Sequence, residues 1–325
     1  MSPETVGFVG TGIMGKPMAE NVLEAGYDVV AYNRSSASTE DLADQGARAA
    51  PSAAVVGESA DVVITVLPDT DAVESVLYDD GLIDALGSGQ VYVDMSTIAP
   101  GATERFAADV DETGAAMLDA PISGGEGGAI DGTLSIMVGG DPEILGEVND
   151  VLNAMGEIIT HTGPSGAGQI TKACNQIVVG CTHQAVAEAL LLAHRAGADL
   201  EAVLDAISGG AASCWSLRER APDVIRGNFE PGFFSSYQYK DLRIATHAGE
   251  KFGVPMPETQ VAHEMYKTME EMGHGQDDHA AVIQVIETMA DDDVGIVPAH
   301  EPVPAAARGS WSGALSPASP HSSCT

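Results

Sequence analysis

A lysine and two amide residues of this chain are spaced so that a helix would bring them together on one face, where the lysine could transfer a proton. Gly168, Lys172, Asn175 and Gln176 lie three or four residues apart, so an α-helix places them on one face. Gly168 leaves room beside the lysine, and the helix N-terminus should lower the pKa of its ammonium group. Such a lysine can donate and accept a proton at a substrate hydroxyl. The competing interpretation is a solvent-facing lysine, which the low total of five lysines disfavours.

A serine and two glycines form a second candidate site. Ser123, Gly124 and Gly125 follow the strand-like segment that ends with Asp119-Ala120-Pro121-Ile122. The hydroxyl and the unhindered backbone N–H groups predict a nest that binds a carboxylate. The alternative is a glycine-rich turn without a ligand.

The N-terminal segment carries a pattern typical of dinucleotide binding. Gly10-Thr11-Gly12-Ile13-Met14-Gly15 matches G-x-G-x-x-G, directly after the strand-like run Val6–Val9 and at the start of a helical pattern. The glycines permit a tight turn and let the backbone approach a pyrophosphate at the helix N-terminus. A turn needed only for packing is the alternative.

The ends of three later strands are further cofactor candidates. Asn33, Arg34 and Ser35 stand where an NAD-selective site usually has an acidic residue. Because the guanidinium of Arg34 can pair with a 2′-phosphate, we expect NADP to be preferred. If Arg34 instead stacks on the adenine, either cofactor would bind. Two other strand ends, Leu67-Pro68 and Ser96-Thr97, are expected to contact the cofactor, with turn and cap chemistry as the alternative.

The pattern predicts alternating strands and helices in the first part of the chain and helices alone after it. Short apolar runs alternate with helical patterns over the first 160 residues, which predicts an α/β, doubly wound, mostly parallel sheet of Rossmann type. A long helix, Gly168 to about Ala196, then joins this part to an all-α domain. The predicted domains are 1–163 for the dinucleotide, 164–293 for substrate and oligomerisation, and a disordered tail, 294–325.

The charge balance excludes several partners. The chain has 48 acidic and 14 basic residues, for a formal net charge of −34. Such a surface repels nucleic acid and anionic membranes, and it suits a halophilic cytoplasm where salt screens the repulsion. The alternative is an ordinary acidic protein that tolerates the repulsion. No signal peptide, membrane span or metal-ligand spacing is evident, so we expect a cytoplasmic protein without a metal.

Taken together, the motifs resemble the β-hydroxyacid dehydrogenase family, which includes 3-hydroxyisobutyrate dehydrogenase and 2-hydroxy-3-oxopropionate reductase. The resemblance covers roughly residues 5–290 and depends on four segments in the family's order: Gly10–Gly15, Asp119–Gly125, Gly168–Gln176 and Lys240-Asp241-Leu242. It implies NAD(P)-dependent hydride transfer at the β-carbon of a small 3-hydroxy acid, and a homodimer or homotetramer. It also implies Lys172 as general acid/base, Ser123 and Gly124 on the carboxylate, and Lys240 near the nicotinamide.

The residues do not decide between substrates of this family. The segments 129–135 and 228–233 are similar to 2-hydroxy-3-oxopropionate reductase, whereas Cys214-Trp215-Ser216 is similar to 3-hydroxyisobutyrate dehydrogenase. Trp215 either lines the pocket or packs in the core. Many family members have two Asn residues where this chain has Asn175-Gln176, so either amide is a candidate for orienting the substrate. An imine reductase or a non-catalytic dinucleotide-binding module of the same fold is the alternative, and Lys172 argues against both.

Overall fold

The computed structural model describes residues 3–290, in which a sheet with flanking helices precedes a helical region. The predicted tail, 294–325, lies outside the described residues. The strands are β1 Thr5–Val9, β2 Asp28–Tyr32, β3 Arg48–Ala49, β4 Val62–Thr65, β5 Val91–Asp94, β6 Ala116–Asp119, β7 Ile122–Ser123, β8 Leu134–Gly139 and β9 Gly156–Gly163.

The sheet confirms the predicted fold class and departs from it at one edge. Its strand order is β3-β2-β1-β4-β5-β6-β8-β7, with β9 paired to β8. The strands from β3 to β6 are parallel, but β8 runs antiparallel to β6 and β7. β3 and β7 have only two residues each, too few to give a periodic pattern in the sequence.

Helices cover both faces of the sheet because successive side chains of each strand point to opposite faces. In β1, Val6 and Phe8 pack in one hydrophobic core and Val9 packs in the other. The helices of this part are α1 Gly15–Glu24, α2 Ala37–Asp44, α3 Ala53–Ser59, α4 Thr70–Glu74, α5 Leu82–Ala85, α6 Pro100–Glu112, α7 Gly125–Asp131 and α8 Pro142–Asn153, with a π-helical turn at Ser75–Asp79.

The remaining elements form a separate helical core around one long helix. They are α9 Ala167–Arg195, α10 Leu200–Ser208, a π-helical turn Ser216–Arg220, α11 Ala221–Ile225, α12 Ser235–Phe252, α13 Pro257–Glu271, a 3₁₀ turn His279–Val282 and α14 Ile283–Met289. Although no membrane span was predicted, α9 is long and apolar enough to qualify as one by length and hydropathy. Its contacts with α12, α13 and α14 are those of the central helix of a helical domain.

The first turn of α9 is fixed to the sheet by a buried carboxylate. Asp119, at the end of β6, accepts hydrogen bonds from the backbone N–H groups of Gly166 (2.8 Å) and Gln169 (2.9 Å). A Cβ at Gly168 would lie 2.8 Å from Asp119 Oδ2, so only glycine permits this approach. Burial raises the pKa of Asp119, and the N–H donors oppose that shift. The carboxylate therefore sets the position of α9 against the sheet.

Replacing Asp119 by Ala should lower the free energy of unfolding by about 1–3 kcal/mol, because buried N–H donors at a helix N-terminus lose their acceptor. Asp141→Ala is the matched control, since Asp141 is an exposed cap of α8 that accepts from Glu143 N at 2.8 Å. Urea unfolding of both variants measures the difference. An equal loss in the two variants would show that Asp119 acts only as an ordinary cap.

Candidate active site

Lys172 lies on the buried face of α9, on the same stripe as Gln176, Gly180 and His183. Its side chain is 5% exposed. Burial lowers the pKa of Lys172 to about 8; the positive charge of Lys240 adds to this effect and Asp241 opposes it. The direction agrees with the sequence prediction, but desolvation rather than the helix dipole is the main cause. A lysine with this pKa is present in both protonation states near pH 8 and can exchange a proton there.

The two candidate amides after Lys172 have different partners. Asn175 faces the end of β7, where Ser123 Oγ lies 3.4 Å from Asn175 Oδ1. Gln176 instead donates from Nε2 to Asp241 Oδ2 at 2.7 Å, and its backbone carbonyl accepts from Gln238 at 3.0 Å. The geometry therefore puts Asn175 beside the predicted carboxylate nest and puts Gln176 between α9 and α12.

The predicted carboxylate nest has the backbone that such a turn requires. Gly124 and Gly125 have φ values of 142° and 64°, in the region that favours glycine. Gly124 is exposed, while Ser123 is partly buried. The turn thus presents the Ser123 hydroxyl next to Asn175 together with unhindered backbone.

Lys240 connects α12 to the end of the sheet. Its ammonium donates to the carbonyl oxygen of Thr97 at 2.7 Å and lies 3.1 Å from Asp241 Oδ1. The side chain is 15% exposed. This contact places Lys240 directly beside the loop after β5, where the sequence predicted a cofactor contact for Thr97.

The strand ends near Thr97 are held by side chains that the sequence did not single out. Gln169 donates to the carbonyl oxygen of Ser96 at 2.8 Å and accepts from Ile98 N at 3.0 Å. The Ser96 hydroxyl accepts from Leu67 N at 2.9 Å. Ser96 and Leu67, both cofactor candidates, thus bind each other, and the Ser96 hydroxyl is engaged within the protein.

The glycine loop fits a dinucleotide. A Cβ at Gly10 would collide with the carbonyl oxygen of Val66, and a Cβ at Gly15 would collide with that of Gly10. A Cβ at Gly12 would meet nothing within 4 Å, and Gly12 and Ile13 are exposed. The first turn of α1 contains no acidic residue and no side-chain cap. Open space in front of free helical N–H groups is what a pyrophosphate needs.

After β2, the Asn33 amide is held by hydrogen bonds, whereas the Arg34 side chain is exposed. Asn33 Nδ2 donates to Ser35 Oγ at 3.0 Å and approaches Ser38 Oγ at 3.4 Å, so this amide stiffens the turn. Arg34 is exposed, and no hydrogen bond or ion pair ties it to another residue of 3–290. Its guanidinium is therefore available to a phosphate. Pro68, the other predicted contact in this region, follows Leu67 in the loop after β4.

The sequence analysis did not single out His279, and it left Trp215 open between a pocket residue and a core residue. His279 is buried beside His183, with ring centroids 4.0 Å apart, and no pattern in the sequence indicated this pairing. Trp215 is 47% exposed and contacts both imidazoles edge-on, which excludes the interpretation of Trp215 as a core residue. Within the part of the chain that the structure describes, no three His, Cys, Asp or Glu side chains are grouped to hold a metal ion.

Family models match almost the whole described chain. Residues 5–163 match the NAD binding domain of 6-phosphogluconate dehydrogenase. Residues 166–286 match a model described as NAD-binding of NADP-dependent 3-hydroxyisobutyrate dehydrogenase.

Individual relatives agree with these models. A 2-hydroxy-3-oxopropionate reductase of Escherichia coli is 41% identical over 286 residues, which are 88% of this chain and 98% of the relative. The mitochondrial 3-hydroxyisobutyrate dehydrogenase of Mus musculus is 32% identical over 293 residues, covering 88% of each chain. The structure of Mycobacterium tuberculosis 3-hydroxyisobutyrate dehydrogenase with L-serine has a TM-score of 0.82 and 33% identity, over 88% of this chain and 99% of that one.

Proposed function

Because the chain belongs to the β-hydroxyacid dehydrogenase family and is an NAD(P)-dependent oxidoreductase, we propose that it acts on a small 3-hydroxy acid or its semialdehyde. The reaction interconverts the β-hydroxyl and the aldehyde, and 3-hydroxyisobutyrate and 2-hydroxy-3-oxopropionate are the candidate substrates. The observation that carries this proposal is the buried Lys172 one turn before Asn175, which itself contacts Ser123. Proton transfer and carboxylate binding are thereby brought to one place.

The side chains divide the chemistry between them. When bound, a nicotinamide cofactor would supply or accept the hydride. In oxidation, neutral Lys172 takes the proton from the β-hydroxyl; in reduction, its ammonium returns that proton to the aldehyde oxygen. Ser123 and the backbone of Gly124 and Gly125 hold the substrate carboxylate, and Asn175 orients the substrate. Gln176 contributes to the substrate site by holding Asp241, which in turn pairs with Lys240.

The cofactor site is proposed to prefer NADP and to accept NAD. The loop Gly10–Gly15 would hold the pyrophosphate, and Arg34 would pair with the 2′-phosphate, while Asn33 and Ser35 shape the turn. Further cofactor contacts are proposed for Leu67, Pro68, Ser96, Thr97 and Lys240. No metal takes part in the proposed reaction.

We also propose that the enzyme is a cytoplasmic homodimer or homotetramer, with domains at 1–163 and 164–293 and a tail at 294–325. Only 28% of the most apolar window of α9 is buried within one chain, and Val178 and Leu192 on it are 62% and 73% exposed. A second subunit would cover such apolar side chains. The net charge of −34 would require screening by salt as acidic subunits associate.

Lys172→Ala should reduce kcat by about 10²–10⁴-fold because the proton-transfer group is lost. The dissociation constant of the cofactor should stay near the wild-type value. Lys172→Met tests the same point while it preserves more of the buried side-chain volume. Lys267→Ala, at a lysine whose side chain is 46% exposed, is the matched control. Turnover within a few-fold of wild type in either Lys172 variant would contradict the assigned role.

Arg34→Asp should shift the preference from NADP toward NAD by at least about tenfold, since one charge-assisted hydrogen bond contributes about 1.5–3 kcal/mol. The direct measurement is the dissociation constant of each cofactor by fluorescence titration. Arg48→Asp makes the same charge change at an exposed edge-strand position and should leave the preference unchanged. If the wild-type protein binds NAD as tightly as NADP, the proposed role of Arg34 is wrong.

A further inference from the structure

A buried glutamine of α9 holds the loop that follows β5. Gln169 is 1% exposed and lies one turn before Lys172. Its Nε2 donates to the carbonyl oxygen of Ser96 at 2.8 Å, and its Oε1 accepts from the backbone N–H of Ile98 at 3.0 Å. One side-chain amide is therefore hydrogen-bonded to both peptide groups that flank Thr97.

These two hydrogen bonds set the direction in which Thr97 presents its backbone. Residues 3–290 contain no cis peptide bond, so the N–H and C=O of each peptide group point to opposite sides. Because Gln169 binds the carbonyl of Ser96 and the N–H of Ile98, the N–H and the carbonyl of Thr97 both point away from the Gln169 amide. The carbonyl accepts from Lys240 Nζ at 2.7 Å, and no residue of 3–290 accepts from the N–H.

A second amide of α9 joins Lys240 to the other side of Lys172. Lys240 Nζ lies 3.1 Å from Asp241 Oδ1, and Gln176 donates to Asp241 Oδ2 at 2.7 Å. Gln169 and Gln176 are seven residues apart, so they lie on one face of α9 with Lys172 between them. The loop after β5 and the helix α12 are thus bound to each other and to α9, and the loop cannot shift without affecting Lys240.

The strand order places this loop beside the half of a dinucleotide that carries the nicotinamide. The glycine loop, where a pyrophosphate would lie, follows β1, and Arg34 follows β2 on one side of β1. The strands β4 and β5 lie on the other side of β1. Because the pyrophosphate joins the two halves of the cofactor, an adenosine directed toward β2 leaves the nicotinamide directed toward β5 and Thr97.

We infer that Gln169 is a positioning residue for the nicotinamide half of the cofactor, because it fixes the Thr97 peptide groups and the contact of Thr97 with Lys240. This inference rests on the proposed function and adds a residue that does not itself touch the cofactor. The Gln169 side chain is buried, and both ends of its amide are hydrogen-bonded within the protein. Its effect on the cofactor must therefore pass through the loop and Lys240.

Gln169→Leu keeps a similar side-chain volume and removes both hydrogen-bonding groups. The dissociation constants of NADP and of 2′-phospho-ADP-ribose, which lacks the nicotinamide, can be measured on the full-length variant by calorimetric titration. NADP binding should weaken by at least about fivefold, the effect of one lost hydrogen bond, whereas the fragment should bind as it does to wild type. NAD and ADP-ribose make the same comparison if the protein prefers NAD.

Gln90→Leu is the matched control, because Gln90 holds the opposite end of the same strand. Its side chain accepts from Gly87 N at 2.7 Å and donates to the carbonyl oxygens of Gly57 (2.7 Å) and Ala60 (2.6 Å). Both variants should lower the free energy of unfolding, since each removes partners from polar backbone groups. Gln90→Leu should nevertheless leave the ratio of the two dissociation constants unchanged.

Two further variants test the route of the effect. Lys240→Met should also weaken NADP selectively. The double variant Gln169→Leu/Lys240→Met should bind NADP no more than about twofold more weakly than the weaker single variant, because both changes release the same peptide group. Gln169→Glu still accepts from Ile98 N, but its carboxylate cannot donate to Ser96, so it should weaken NADP in the same way even if Gln169→Leu does not fold.

The outcomes distinguish this inference from the function on which it depends. Unchanged NADP binding in the Gln169 variants overturns the inference, and so does an equal weakening of NADP and the fragment, which would indicate a general structural role. Additive effects in the double variant, or selective weakening in Gln90→Leu, also overturn it. If wild type binds neither NADP nor NAD, the proposed function is contradicted instead.

Discussion

The site depends on one buried interaction, the carboxylate of Asp119 at the N-terminus of α9. This contact determines where α9 leaves the sheet, and the absence of a side chain at Gly168 lets the helix approach the strands. Gln169 in the same turn fixes the loop after β5. Since Lys172 is one turn further along, its position relative to both strand ends follows from the same contact.

The local electrostatics of the site differ from those of the whole protein. The chain carries a net charge of −34, yet two lysines, Lys172 and Lys240, belong to the site where a substrate carboxylate and the nicotinamide are proposed to bind, and the charge of Lys240 helps to lower the pKa of Lys172. Asp241 offsets part of this charge and is itself held by Gln176. Burial, which removes water from Lys172, has the largest effect on its protonation. Burial and the charges on α12 therefore set the protonation of Lys172, whereas the contact of α9 with the sheet sets its position.

The sequence predicted features that are encoded by neighbouring residues. The glycine loop after β1, the alternation of strands and helices, and the shared face of Lys172 and Gln176 all follow from local spacing. Features made by distant segments were not predictable: the contact of Lys240 with Thr97 spans 143 residues, and the pairing of His183 with His279 joins α9 to a 3₁₀ turn. The 3₁₀ turn His279–Val282, which the Asp278 side chain caps, precedes α14.

The central claim is that burial makes Lys172 a proton-transfer group near neutral pH. The pH dependence of kcat/KM for alcohol oxidation tests it most directly, because oxidation requires the neutral amine of the free enzyme. The account predicts a rise with an apparent pKa of about 8, and for aldehyde reduction a fall through the same pKa. A rise centred near the ordinary lysine value of 10.5, or no change between pH 7 and 10, would contradict it.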